Sequence, residues 1–157
     1  MKSIRAGLVF GILAVLVMGV FAVKQPRGIR NNNPGNIREN QRTDYDWDGE
    51  AALDYDGDFE EFISPEYGVR AMVRIFKSYR RRGVKTMGEI IATWAPSIEN
   101  NTAAYVSSVS QQTGIAATDE VTERDYLPLV KAIIKHENGQ QPYSDEVIQA
   151  GIEMGLA

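Results

Sequence analysis

Apolar residues recur at three- and four-residue spacing in five stretches of this chain, and helix start or stop signals bound them. Behind Ser64 and Pro65, the positions Val69, Met72, Val73, Phe76 and Tyr79 form one stripe that ends at Arg80, Arg81, Arg82 and Gly83. The arginines complement the negative end of a helix dipole on a solvated face, with contact to anionic cell-surface polymers as the functional alternative. Thr86-x-x-Glu89 is a capping box opening a short helix with Ile90, Ile91 and Trp94, and Pro96 closes it. A further helix over 102–113 ends at Gly114. Over 127–137, Leu127, Leu129, Val130, Ile133 and Ile134 face a core; Asp125 is the predicted N-cap, Pro128 falls in the first turn, and Gly139 suits the left-handed position past the end. Ser144 caps a last helix carrying Val147, Ile148 and Ile152, and residues 59–63 read as a short strand or extended piece. The pattern predicts a mainly α (α+β) domain over residues 24–157 with a small irregular β and loop region.

Residues 1–23 are of another kind. Lys2 and Arg5 precede an uncharged apolar run over 6–23, and Lys24 follows, which gives an N-in, C-out orientation. The run is marginal in length for a span, Val20-Phe21-Ala22 offers a small-residue cleavage site, and Gly7, Gly11, Ala14, Gly19 and Ala22 weaken it as an anchor. A cleaved signal peptide, an N-terminal signal anchor and a releasable anchor are the readings, with a buried soluble helix as the alternative. Residues 24–157 are therefore expected to work outside the cytoplasmic membrane.

Composition narrows the chemistry. At 43% hydrophobic and 24% charged, 157 residues fit one compact domain plus the terminal segment. A net charge of −4 gives nucleic acid no general attraction. The absence of cysteine removes disulfides, a thiolate nucleophile and Cys-based zinc sites, and the single His136 removes histidine metal clusters. Asp44-x-Asp46-x-Asp48-Gly49 copies the opening of an EF-hand loop, but its twelfth position is Tyr55 rather than Glu. A solvated acidic loop is the expectation there, with no metal and no cofactor.

Two stretches carry candidate chemistry. Asn31-Asn32-Asn33-Pro34-Gly35-Asn36, between Arg30 and Arg38, marks turns, and its amides donate and accept at once, as sugars and N-acetyl groups require. A plain surface turn is the equal alternative. In Ala132-Ile133-Ile134-Lys135-His136-Glu137-Asn138-Gly139, an apolar helical run delivers a carboxylate to the negative end of a helix dipole. Partial burial there would raise the pKa of Glu137 and keep it protonated, as a general acid needs. Taken alone, the segment reads rather as an exposed Glu at a fraying helix end.

Across residues 27–143, the strings RGIRNNNPGNIR, Trp47-Asp48-Gly49, WAPSIENNTAAYVSSV and AIIKHENGQQPYSD resemble a family of small bacteriophage and prophage proteins. Those are described as virion structural proteins or lysozyme-like peptidoglycan-degrading proteins. Taken in order, Asn33-Pro34-Gly35-Asn36-Ile37-Arg38, Trp47-Asp48-Gly49, Phe59, Phe62, Ser64-Pro65-Glu66, Trp94-Ala95-Pro96 and Tyr105 also resemble the lysozyme-like peptidoglycan glycosidases, lytic transglycosylases among them. In that superfamily the helix ending in the catalytic Glu comes first, whereas here the matching helix, over 127–137, lies at the back of the chain. The resemblance implies a circularly permuted lysozyme-like domain with Glu137 facing a cleft beside Asn33 and Asn36.

Carried over, Glu137 is the catalytic acid that protonates the glycosidic oxygen of a β-1,4-linked glycan. The substrate-binding set is Asn33, Asn36, Trp94, Glu99 and Tyr105: Trp94 stacking on a sugar, Tyr105 lining the cleft, and the two Asn binding N-acetyl groups or shaping the floor. For Trp94 and Tyr105, core packing is the alternative. Glu99 and the acidic residues over 44–50 are candidates by position for a second carboxylate, which retaining and inverting hydrolases place about 5–5.5 Å and about 6.5–9.5 Å from the first. A lytic transglycosylase needs only one, because the same Glu acts as acid and then base while the muramoyl 6-hydroxyl attacks intramolecularly. That mechanism is therefore favoured over a muramidase. The implied partners are peptidoglycan strands, the membrane through residues 6–23 if uncleaved, and other virion proteins, with no nucleic acid. The implied setting is phage penetration or host lysis, from the periplasm, the periplasmic face of the inner membrane, or a virion. The competing expectation is a non-catalytic membrane-anchored phage structural or glycan-binding protein. Glu137 facing Asn36 across a groove favours the enzyme, and Glu137 paired with Arg or Lys on the surface favours the binder.

Overall fold

The computed structural model describes residues 24–39, 45–53, 55–96 and 101–157; residues 1–23, with the expected signal or anchor, lie outside the described residues. The described residues form six helices: α1 (Arg27–Arg30), α2 (Pro65–Arg81), α3 (Met87–Trp94), α4 (Thr102–Thr113), α5 (Tyr126–Asn138) and α6 (Asp145–Leu156). The structure is mainly helical. Among the described residues no β-strand forms: the extended piece over 59–63 makes only isolated antiparallel bridges, Arg38 with Phe59 and Glu50 with Phe62. None of the described helices is long and apolar enough to cross a membrane.

The core assembles from the stripes that the sequence displays. Val69, Met72, Val73 and Phe76 of α2 meet Ile90 and Ile91 of α3, Val109 of α4, Leu129, Ile133 and Ile134 of α5, and Ile148 and Ile152 of α6. Helix α5 packs against α1, α2, α4 and α6, so its last turn is fixed from several directions. Helix α6 lies tight against α2 at Gly151 and Gly155, where a Cβ would lie 2.6 Å from the Cβ of Val69 and of Val73, respectively. Glycine costs a helix about 1 kcal/mol relative to alanine, and here the close backbone approach returns it as packing.

The helix ends follow their chemistry with exceptions, the first at Ser64, which the sequence offers as a cap for α2 but whose hydroxyl donates to the Glu66 carboxylate at 2.5 Å and caps no helix amide. Thr86 and Glu89 complete the capping box, and Gly114 and Gly139 take left-handed φ values of 75° and 69°. Asp125, however, does not cap α5. Its carboxylate accepts from the Thr122 amide and hydroxyl, both at 2.8 Å, and a 3₁₀ turn over Glu123–Asp125 leads into the helix. Helix α1 is a further difference, since four residues are too few to show a period.

Ahead of α2 the backbone is held by side chains. Asn31 Nδ2 donates to Asp56 Oδ2 at 2.6 Å, and Asn32 Nδ2 donates to the Phe62 carbonyl at 2.9 Å. Arg27 forks onto Asp56 and also reaches Asp58 at 3.1 Å, while Asp48 is taken by Arg70. The Arg27 guanidinium holds the Asp56 carboxyl down to about 2, so its contribution to stability is present above the ordinary carboxylate range and lost as pH falls toward that value.

Glu60 behaves oppositely. It is buried beneath Trp47, whose Nε1 donates to Oε1 at 3.1 Å, and burial, then the charge of Glu39, pushes it up to about 7. Such a group keeps its proton in the fold where the unfolded chain has already lost it. The stability it contributes is therefore full at low pH and declines as pH rises from 4.5 through 7. Melting temperature is expected to fall between about pH 5 and pH 8, and Glu60→Gln to flatten that decline. A wild-type curve that is level or rising across this interval would contradict the assignment.

Candidate functional site

The last turn of α5 and the Asn-rich loop are tied to each other before any functional group is considered. Asn138 is buried, and its Nδ2 donates to the carbonyls of Pro34 at 2.8 Å and Ile134 at 3.0 Å. Within the loop, Asn36 adopts φ 51°, a left-handed conformation that asparagine tolerates better than most residues. Its Nδ2 then donates to Glu137 Oε2 at 3.1 Å and to the Glu137 carbonyl at 3.3 Å. From α4, the Tyr105 hydroxyl donates to Glu137 Oε1 at 2.9 Å. Burial, then the neighbouring Glu137 charge, holds that phenol well above its ordinary range, so it remains a donor. His136 stacks on the Tyr105 ring with centroids 3.5 Å apart and planes 11° apart. Each oxygen of Glu137 is thus held by a neutral donor, a phenol or an amide, rather than by Lys or Arg.

In front of Glu137 opens a cleft of about 630 Å³ whose lining includes Asn36, Arg38, Phe59, Tyr79 and Trp94. Trp94 has two roles. It is half-buried, with its ring 5.6 Å from Phe76, and Gly35 makes room for it, since a Cβ there would lie 2.7 Å from Trp94 Cζ2. Its remaining surface belongs to the cleft.

Glu137, Asn36 and Trp94 line one cleft, and Asn33 and Tyr105 lie elsewhere. Asn33 is fully buried and does not reach the cleft. Its Nδ2 donates to the carbonyls of Ile37 at 2.8 Å and Glu60 at 2.9 Å, and its Oδ1 accepts from the Ile37 amide at 2.9 Å. A side chain fully engaged by backbone has nothing left for a sugar; it shapes the loop that presents Asn36. Tyr105, only 1% exposed, stands behind Glu137 instead of lining the cleft.

Glu99 and Asp44 lie outside the described residues. Of the remaining acidic candidates, Glu50 accepts from the Trp47 amide at 3.0 Å and Asp48 pairs with Arg70, away from the cleft. Among the described cleft-lining residues Glu137 is the one carboxylate, and no described cluster of three or more His, Asp or Glu is arranged to hold a metal.

Protein P5 of Pseudoalteromonas phage PM2 is 42% identical to this chain over 131 residues, which span 83% of the chain and 82% of the phage protein. The chain belongs to the phage protein P5 family. No protein-family model matches it. The bacteriophage connection expected from RGIRNNNPGNIR and the other strings is thereby established.

In this P5-family chain the cleft also contains residues to which the sequence reading gave no site role: Arg38, Phe59, Ile75 and Tyr79. Ile75 and Tyr79 sit in a helix whose neighbouring positions are core, which masked them. Arg38 and Phe59 share one bridge and therefore one face, and the arginine closing N-x-x-x-I-R was the available signal.

Proposed function

We propose that this P5-family chain is a peptidoglycan-degrading enzyme that cleaves the β-1,4 glycan strand, with Glu137 as its general acid. The observation that carries this reading is the fixed carboxyl at the cleft. Tyr105 from α4 and Asn36 from the N-terminal loop hold the two oxygens of a residue on α5. Fixing the carboxyl plane is the preorganisation that proton transfer to a glycosidic oxygen requires. The fold reading that accompanies it is a circularly permuted lysozyme-like domain. It is supported by α5, last in order but one, lying against the loop that carries Asn36.

The lone carboxylate among the described cleft residues favours the lytic transglycosylase mechanism over the muramidase. Glu137 gives its proton to the bridging oxygen as the C1–O bond breaks. The muramoyl 6-hydroxyl then bonds to C1 and returns a proton to Glu137, leaving a 1,6-anhydro end. The phage relationship suits a role in penetration of the host envelope or in lysis. The same lone carboxylate also favours a second reading, a non-catalytic glycan-binding phage protein.

Mass spectrometry of purified peptidoglycan treated with the full-length protein separates these readings. 1,6-Anhydro-muropeptides are the expected products. Reducing ends would require a hydrolase and a second carboxylate, and no cleavage with binding retained would leave the binding protein.

A further inference from the structure

The described lining of the cleft around Glu137 includes one cation. Among its described lining residues Arg38 alone is basic, and it is exposed. Its position is built rather than incidental. The backbone bridge from Arg38 to Phe59 is flanked by hydrogen bonds from the Glu60 amide to the Ile37 carbonyl and from the Glu39 amide to the Asp58 carbonyl, both 3.0 Å. The Arg38 guanidinium lies 5.0 Å from the centroid of the Phe59 ring, which faces Arg27 as well at 4.6 Å. Arg27 spends its charge on Asp56 and Asp58. Phe59 thus meets two guanidiniums, and that of Arg38 lines the cleft.

A planar guanidinium resting on an aromatic ring is oriented to receive a carboxylate through paired N–H donors. A neutral glycan has no group for it. From this placement we infer that Arg38 is a specificity-determining residue that binds a carboxylate borne by the glycan, so that the cleft selects acid-bearing strands over neutral ones. In peptidoglycan that carboxylate is the muramyl lactyl group where the peptide is absent, or an acidic group of the stem peptide where it is present. The inference deepens the glycan reading of the same cleft and rests on it, but not on cleavage.

Binding by the full-length Glu137→Gln protein tests it, with and without Arg38→Gln. Three ligands serve as probes: intact peptidoglycan, strands stripped of peptide by an amidase, and chitin oligosaccharides. Loss of Arg38 is expected to weaken binding to at least one acid-bearing ligand roughly ten- to a hundredfold and to leave chitin oligosaccharides unchanged. Arg38→Lys should recover part of the loss, because it restores charge without the paired geometry. A loss on stripped strands assigns the lactyl carboxylate; a loss on intact peptidoglycan alone assigns the stem peptide. An equal loss on chitin, no loss anywhere, or no binding to either acid-bearing ligand would overturn the proposal. Product analysis with the wild-type protein judges the enzymatic reading separately, because selective binding can survive when cleavage is absent.

Discussion

Glu137→Gln is expected to reduce glycan-strand cleavage about 10²- to 10⁴-fold, the range that a positioned general acid contributes. The substitution is nearly isosteric and leaves the surroundings satisfiable. Asn36 can still donate to the glutamine carbonyl oxygen, and the Tyr105 hydroxyl can turn to accept from the amide. Removing the acidic proton therefore changes the chemistry while keeping both side-chain contacts of residue 137, and the melting temperature should stay within a few degrees of wild type. Release of muropeptides over time, measured beside thermal melting, gives both quantities. A variant that keeps a tenth or more of the wild-type rate would remove Glu137 from the acid role. A variant that is inactive because it has unfolded would show itself in the melt.

The helices were legible because their signals are local. The stripe from Val69 to Tyr79, the Thr86–Glu89 box and the stops at Gly114 and Gly139 each lie within a few turns of the residues they govern. The site was legible in part for the same reason: Glu137 ends a long apolar helix, and Asn36 closes a turn-rich string. The separation of roles among the asparagines was not legible. Asn31, Asn32, Asn33 and Asn36 have the same donors and acceptors, and which of them meets backbone and which meets the cleft depends on chain returning from residues 56–62. Tyr105 likewise reads as cleft lining or as core by sequence. The structure makes it a buried residue that still reaches the site, because its ring is covered by His136 while its hydroxyl meets Glu137. Burial is a tertiary quantity, and periodicity within one helix reports it only for the face that meets the core.

Gly28→Ala is expected to destabilise the protein by about 1–3 kcal/mol and to impair the cleft at the same time. Gly28 lies in α1 with no left-handed φ, so its backbone conformation suits alanine. On helix propensity and unfolded-state entropy alone the substitution would stabilise by roughly 0.4–1 kcal/mol, which makes the sign of the result diagnostic. Space decides it. A Cβ at Gly28 would run into Asn36 Oδ1 and would lie 2.6 Å from Asn138 Oδ1 and 2.7 Å from the Asn33 carbonyl oxygen. Two of these atoms belong to the side chains that join the loop to α5, and the third belongs to backbone that cannot yield alone. Relief would push Asn36 away from Glu137, so activity should fall more than the loss of folded protein explains. Adding Asn36→Ala removes the closest obstruction, and the cost of Gly28→Ala should then shrink by at least about 0.5 kcal/mol in a double-mutant cycle. Strict additivity would show that the clash falls on Asn138 and the Asn33 carbonyl instead. In that case the loop would owe its position to the buried end of α5, and the Asn36 contact to Glu137 would follow from that position rather than help to set it.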